Sequence, residues 1–213
     1  MKKVLLATLL AATAISANAA DLKPYVEISA GYAGIQDLNL LNLTDGTHED
    51  DNGDVLTASS LKYKPNSTWN ASLELGVKDV ITPNLRIALS DIYLHPKSQL
   101  TGSYTSNNTV TNVDESAGRS SINIMLVNAY YDFRTDSSFT PFVGAGVGTY
   151  KANGNDSFEF AYGLHAGVKY AINNNVYIGL KASALRLNGG KLKDSGTAEV
   201  DDTELYTVNA ALG

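Results

Sequence analysis

The chain has 213 residues, of which 44% are hydrophobic and 18% are charged; it contains no cysteine, and its formal net charge is −6. A mean hydropathy of −0.11 excludes a bundle of membrane helices. The absence of cysteine excludes a disulfide framework and any cysteine-based metal site or nucleophile. The acidic balance argues against a nucleic-acid partner, which would need a basic face.

The first segment, Met1–Ala19, has the three parts of a secretory signal peptide. Two lysines precede a short apolar stretch, Val4–Ile15, and the segment ends on the small residues Ala17 and Ala19. The apolar stretch is too short for a membrane anchor, which needs about 20 residues. We therefore expect cleavage after Ala19, and a single domain over 20–213 that works outside the cytoplasm.

Eight later segments alternate apolar and polar residues with a period of two, which is typical of strands with two different faces. The predicted strands are Tyr25–Gly34, Thr68–Lys78, Asn84–His95, Ser121–Phe133, Thr140–Ala152, Phe158–Ala171, Val176–Asn188 and Thr203–Gly213. In the second of them, Trp69 and Leu73 share one face while Asn70 and Glu74 share the other. In the third, the alternation slips at Asp91, which predicts a β-bulge there.

The connections between these strands differ sharply in length. Three are long and polar, and the other four are short; the long ones are 35–67, 96–120 and 189–202, and the short ones are 79–83, 134–139, 153–157 and 172–175. Bacterial membrane barrels have short periplasmic turns and longer outer loops. The connections therefore favour an eight-stranded antiparallel barrel with its long loops outside the cell.

Three features favour lipid as the neighbour of the apolar face. The opposite face is rich in glycine, the strand lengths suit a tilted membrane strand, and aromatic residues lie at the strand ends. The predicted lower aromatic girdle comprises Tyr25, Tyr131, Phe133, Phe142, Tyr170 and Tyr177, and the upper girdle Tyr32, Trp69, Tyr93, Tyr150, Phe158, Phe160 and Tyr206. An ordinary sandwich core with scattered aromatic residues is the alternative.

Closure of the sheet follows from the same physics. Lipid cannot satisfy unpaired backbone groups, so the first strand must pair with the last. Eight strands enclose a lumen that side chains fill, so we expect a plugged barrel. Its inward charges would pair, Glu74 with Arg86 across the 79–83 turn. His165, Lys181 and Lys169 would face partners across the barrel, and those partners are Glu27, Glu74 or Glu159. A static network is favoured over a functional gate.

The central hairpin resembles that of the opacity-type surface antigens, a superfamily that includes OmpA-like and OmpX-like barrels. The likeness rests on Val127–Phe133 followed by Phe139–Gly148, with weaker support from Leu75–Lys78, Thr82–Arg86, and Ala161–Tyr170 with the Asn173–Asn175 turn. It implies an all-β fold, an eight-stranded up-and-down transmembrane β-barrel of the bacterial outer membrane. Family members usually end on an aromatic residue, whereas this sequence stops at Leu212-Gly213, so we expect a truncated sequence.

The resemblance implies a non-enzymatic surface antigen with a structural or adhesive role. Its expected partners are outer-membrane lipid and lipopolysaccharide, a host or surface ligand at the loops, and periplasmic chaperones with the barrel-assembly machinery. We expect a monomer. One alternative is a narrow OmpW-like channel for small apolar solutes. Another is a soluble periplasmic barrel that binds a ligand, for which the outward face should be polar.

No catalytic, cofactor-binding or metal-binding residue is predicted. Some small barrels act on lipid A with His, Ser and an acid near the outer rim, but the three histidines, His48, His95 and His165, show no such spacing, although Ser98 follows His95 closely. The acidic loop Asp45–Asp54 lacks the spacing of a calcium loop. The glycines of Phe139–Gly148 lie within a strand and form no phosphate loop.

Overall fold

Thirteen β-strands account for the secondary structure in the computed structural model, which describes residues 23–36, 38–39, 48–49, 55–106, 109–152, 157–189 and 202–213. In chain order they are β1 (Lys23–Ile35), β2 (Leu38–Asn39), β3 (His48–Glu49), β4 (Val55–Pro65), β5 (Thr68–Lys78), β6 (Leu85–Leu94), β7 (Lys97–Ser106), β8 (Thr109–Arg119), β9 (Ile122–Asp132), β10 (Phe139–Ala152), β11 (Glu159–Ala171), β12 (Tyr177–Leu187) and β13 (Thr203–Leu212). The predicted signal peptide and most of the acidic loop lie outside the described residues.

Eight of these strands form a closed antiparallel barrel in the order β1-β13-β12-β11-β10-β9-β6-β5. The first and last strands pair from Ile28 with Leu212 to Ile35 with Leu205, which completes the ring. The eight predicted strands and their closure are therefore confirmed, with ends that agree within two residues. No helix among the described residues is long and apolar enough to cross a membrane.

The two faces of the barrel strands alternate as predicted. On β1, Val26 and Ile28 are exposed outward, whereas Glu27 and Ser29 are buried in the lumen. The predicted bulge at Asp91 is wrong, because the register of β6 with both neighbours is continuous through that residue. Asp91 points outward and Ile92 points inward. The slip in the sequence arises because the lumen is apolar at this level, not because the backbone changes phase.

The aromatic girdles are confirmed in part. Nine aromatic residues at the strand ends are exposed outward, namely Tyr131, Phe133 and Tyr170 below and Tyr32, Trp69, Tyr93, Phe158, Phe160 and Tyr206 above. Four others do not face lipid as predicted, because Tyr25, Phe142 and Tyr177 are buried in the lumen and Tyr150 packs on its apolar core.

Glycine explains how the lumen holds two of these rings. A Cβ atom at Gly76 would lie 2.6 Å from Cε1 of Tyr25, and one at Gly167 would lie 2.6 Å from Cζ of Phe142. Each ring therefore occupies the volume that a side chain on the neighbouring strand would need.

A second sheet stands on the barrel at its long-connection end. We call β4, β7 and β8, with the short β2 and β3 beside β4, the external sheet. Each of its three main strands continues a barrel strand, so that β4 leads into β5, β6 into β7, and β8 into β9. Backbone hydrogen bonds from Asn66 N to Lys97 O (2.8 Å) and from Ser120 N to Pro96 O (3.1 Å) cross the junction. The described parts of the predicted loops 35–67 and 96–120 are thus largely strands.

Candidate functional site

The lower half of the lumen, toward the short turns, holds six charged side chains that we call the ion network: Glu27, Glu74, Arg86, Asp132, Lys169 and Lys181. Three are acidic and three are basic, so their formal charges cancel, and all six are at least nine-tenths buried. They come from six different strands and meet only because the sheet closes on itself. The network is the largest cluster of buried ionisable groups among the described residues.

Glu74 is the centre of one half of the network. Its Oε1 accepts a hydrogen bond from the Tyr25 hydroxyl at 2.6 Å, and its Oε2 accepts one from the Tyr130 hydroxyl at 2.7 Å. The ammonium group of Lys181 donates to Oε2 at 3.2 Å and to Oε1 of Glu27 at 2.7 Å. Both oxygens of a carboxylate that is only 1% exposed are therefore engaged.

Asp132 is the centre of the other half. The Arg86 Nε atom lies 2.9 Å from Asp132 Oδ2, and the Lys169 ammonium group donates to the same oxygen at 2.7 Å. The predicted pair of Arg86 with Glu74 is present but longer, at 3.7 Å. The guanidinium also donates to the Tyr25 hydroxyl at 2.9 Å and lies 4.4 Å from the centre of the Tyr130 ring. Buried ions with this many partners hold one arrangement.

The predicted luminal charges are placed as follows. Lys181 meets both Glu27 and Glu74 across the barrel, as expected, but Lys169 pairs with Asp132 instead of a glutamate. Glu159 takes no part in the network. The hydroxyls of Tyr25 and Tyr130, which donate to Glu74, were not predicted as members of the network. The signal that could have revealed them is that each tyrosine is in phase with the inward-facing glycines or charged residues of its strand.

His165 lies above the ion network in a neutral polar layer. Its Nδ1 is 2.9 Å from the Ser183 hydroxyl, and its Nε2 is 3.1 Å from Asn128 Oδ1. The Asn128 amide donates in turn to the Ser90 hydroxyl at 2.8 Å. This chain of contacts satisfies the imidazole inside the lumen.

The upper half of the lumen is filled by an aliphatic layer. Its members are buried hydrophobic side chains from six strands: Ala33, Ile92, Leu94, Ile124, Leu126, Ala161, Leu185, Leu187 and Leu205. Leu94, Ile124, Leu126 and Leu205 have no exposed surface at all. The predicted plugged lumen is therefore a charged layer below and an apolar layer above.

The outer wall carries a separate group of polar side chains near its upper rim. His95 Nδ1 is 2.9 Å from the Ser121 hydroxyl, which also lies 3.3 Å from the Tyr93 hydroxyl. The Asn123 amide donates to Asp91 at 3.1 Å. Ser98, the hydroxyl suggested by the sequence, is buried and makes no hydrogen bond to His95. Within the described ranges, no group of three or more His, Asp or Glu residues could hold a metal ion.

Comparisons with known proteins agree with this architecture. Residues 4–212 match the family described as the outer membrane protein beta-barrel domain. The outer membrane protein PagN of Salmonella typhimurium is 32% identical over 115 residues, 41% of this chain and 46% of PagN. An uncharacterized protein of Brucella abortus is 31% identical over 96 residues, 36% of this chain and 34% of its own. The aligned parts thus span less than half of these relatives.

A solved structure extends the comparison to the fold. Neisserial surface protein A shares 18% sequence identity with this chain at a TM-score of 0.50, and the match covers 89% of this chain and 97% of that protein. At this identity the likeness concerns the barrel fold alone.

Proposed function

The chain belongs to the outer membrane β-barrel family, and from this premise we propose that it is a non-enzymatic surface protein whose external sheet contacts a host or other surface ligand. The observation that carries the proposal is the continuation of β5, β6 and β9 into β4, β7 and β8. A strand of 10 or 11 residues is about 35 Å long. The barrel thus anchors an extended β-surface outside the membrane.

The free edge of the external sheet is the favoured contact surface. Among the described residues, β8 bonds to β7 on one side only, so its other edge offers unpaired backbone groups. Exposed edges of this kind accept an extended partner strand. Asp114 and Glu115 are exposed on β8, which favours a partner with basic side chains.

The aliphatic layer supports an anchoring role over a channel. Its side chains are buried against one another in a lumen that eight strands make narrow. An OmpW-like path for small apolar solutes would need these side chains to separate. We propose further that the barrel acts as a monomer, and that periplasmic chaperones and the barrel-assembly machinery deliver it to the membrane.

The non-enzymatic part of the proposal rests on the surroundings of the histidines. His165 is enclosed by Ser183 and Asn128, and His95 meets Ser121 without a carboxylate that hydrogen-bonds to its ring among the described contacts. A general base in a catalytic triad is oriented by such a third group.

Attachment of whole cells tests the adhesive role. Bacteria that display the full chain, its Asp114→Lys/Glu115→Lys variant or neither are applied to a cultured epithelial monolayer, with surface amounts matched by labelling. We expect the native chain to raise attachment over the empty strain and the variant to lose most of that gain. Attachment equal to that of the empty strain would end the adhesive proposal.

Two further measurements separate the other functions. Conductance steps from the purified protein in a planar bilayer would favour the channel over the anchor. Release of a fatty acid from lipopolysaccharide that His95→Ala abolishes would show an enzyme. We expect neither activity.

A further inference from the structure

Charged and amide side chains lie on the outward wall of the barrel, below its upper rim. Asp91 on β6 and Asn123 on β9 are exposed and share a hydrogen bond of 3.1 Å. Lys151 on β10 is directly opposite Asn123 and lies 5.5 Å from the centre of the exposed Phe158 ring. At the depth of the upper aromatic girdle a charged side chain costs little and can meet a lipid head group.

A groove in the same wall leads to these side chains. It has a volume of about 670 Å³. Its floor is formed by the small side chains of Ala30, Ala71 and Ala210, which are adjacent on β1, β5 and β13. Ile28, Leu73 and Leu212 line its lower side. Asp91 and Tyr93 form its end on β6.

The strand register shows that the groove rises toward the polar end. The cross-strand row through Ala210, Ala30 and Ala71 continues to Tyr93, Asn123 and Lys151. Followed the other way around the barrel, the same row reaches β10 at Pro141, ten residues nearer the periplasmic end than Lys151. The row therefore rises toward the extracellular end of the barrel as it passes from β13 through β1, β5, β6 and β9 to β10.

The height gained along this row matches one leaflet. Five strand spacings of about 4.8 Å at a tilt of about 40° give a rise of roughly 15 Å from Ala210 to Lys151. That is about half of the hydrocarbon thickness of a typical bilayer. An acyl chain in the groove would thus have its head group beside Asp91, Asn123 and Lys151.

We propose that this groove and its polar end bind one lipopolysaccharide molecule of the outer leaflet. One saturated acyl chain lies over the three alanines, and the lipid A phosphate meets the Lys151 ammonium group. The Asp91 carboxylate accepts a hydrogen bond from an amide or hydroxyl of the lipid A head group. A cation on β10 and an acceptor on β6, two strands apart on the same wall, complement a ligand that carries both phosphate and hydrogen-bond donors.

Trp69 provides a reporter for the test. It is the only tryptophan of the chain, 55% exposed, with its ring centre 6.0 Å from that of Tyr93. The full-length protein is folded into vesicles of phosphatidylcholine with brominated acyl chains, which quench tryptophan on contact. Bisphosphorylated lipid A without bromine is then added in steps. We expect fluorescence to recover and saturate at a few mole per cent of lipid A.

Two variants and their controls test the assigned contacts. Lys151→Ala should shift the half-recovery to about tenfold more lipid A, because tenfold is about 1.4 kcal/mol, close to the lower value for a hydrogen bond to a charged group. Lys151→Arg should retain most of the affinity. Ala210→Phe fills the groove at its far end from Trp69 and should abolish the saturable recovery. Lys23→Ala, at the periplasmic end, and Ala145→Phe, outward on β10, should behave as the native chain.

The outcomes separate the proposal from its alternatives. Each variant is first checked for folding by the migration of unheated sample in gel electrophoresis. Recovery that rises only in proportion to bulk lipid A, or Lys151→Ala curves equal to native ones, would overturn the proposal. Recovery that follows the protein-to-lipid ratio instead of the lipid A fraction would show that a second copy of the chain covers the groove, and would overturn it too.

Discussion

The two halves of the lumen are filled in opposite ways by the same eight strands. Below, the ion network joins three carboxylates to three cations and to tyrosine hydroxyls at hydrogen-bond distance. Above, the aliphatic layer contains fully buried leucine and isoleucine side chains. The inward face of a barrel strand thus has no fixed polarity; its character changes along the barrel axis.

Because of this difference, removal of a side chain should destabilise the two layers for different physical reasons. A buried ion needs partners at defined positions, so loss of one partner leaves another charge uncompensated. A buried aliphatic side chain needs only matching volume, so its loss costs hydrophobic burial and a cavity. Substitutions of similar size should therefore distinguish the layers.

Removal of Glu74 should have the largest effect. Glu74→Ala deletes the acceptor of the Tyr25 and Tyr130 hydroxyls and one of the two carboxylates that hold Lys181. We expect the free energy of unfolding to fall by about 3–5 kcal/mol, the usual cost of breaking a buried ion pair. Urea unfolding in vesicles, followed by the fluorescence of Trp69, measures it.

Two variants control this experiment. Glu74→Gln keeps an acceptor oxygen but removes the charge, so it should cost less than Glu74→Ala. Glu159→Ala removes a carboxylate without an ion pair among the described residues and should cost little. An equal loss for Glu74→Ala and Glu159→Ala would show that the network contributes no more than a surface charge.

Truncation in the aliphatic layer should rank second. Leu126 is fully buried among residues from several strands, so Leu126→Ala should cost about 3 kcal/mol in the same assay, within the 2–5 kcal/mol range for buried leucine. Leu180→Ala, on the exposed outward face, is the matched control and should cost much less. A larger loss for the outward leucine would contradict a packed upper lumen.

Most of the barrel could be predicted because its strands separate two environments. The alternation across Thr68–Lys78 places a strand with the observed ends, since each second residue meets a different neighbour. The alternation is weaker where both faces are apolar, as at the upper end of β6, and there the predicted bulge at Asp91 was wrong.

Other features could not be predicted, for physical reasons. An aromatic residue at a strand end suits a membrane interface and a glycine-lined lumen equally, so Tyr25 and Phe142 were placed on the wrong side. Asp132 was not predicted as a luminal charge, because it is the last residue of β9. At a strand end both faces lie near water, so a polar residue there does not indicate which face it belongs to. The external sheet was missed because serine- and threonine-rich strands such as β7 show no continuous alternation of apolar and polar residues.

Asn70 is a buried polar side chain in the largely apolar upper half of the lumen. It is fully buried on β5, and neither its amide nitrogen nor its oxygen has a hydrogen-bond partner in the described part of the chain. A buried polar group without a partner costs about 1–3 kcal/mol. Asn70→Leu should therefore raise the free energy of unfolding by about 1–2 kcal/mol. A loss of stability would show that the amide has a bound partner, such as water.

The smallest effect should come from an ion pair outside the lumen, which contrasts with the ion network. Asp202 accepts hydrogen bonds from the Gly189 backbone N–H at 3.0 Å and from Arg186 Nη2 at 2.9 Å, and both contacts, the backbone one first, lower the pKa of the Asp202 carboxyl. A lowered pKa stabilises the fold above the unfolded-state value and ceases to do so as pH falls through the folded-state value.

Acid titration measures this contact directly. The Gly189 amide resonance should move with a midpoint below the ordinary aspartate value, and Asp202→Asn should abolish the movement. Because the Asp202 side chain is 42% exposed, the same variant should change the free energy of unfolding by less than about 1 kcal/mol. A midpoint at the ordinary value would mean that water competes successfully for the carboxylate. A loss as large as that of Glu74→Ala would remove the distinction between charges inside and outside the barrel.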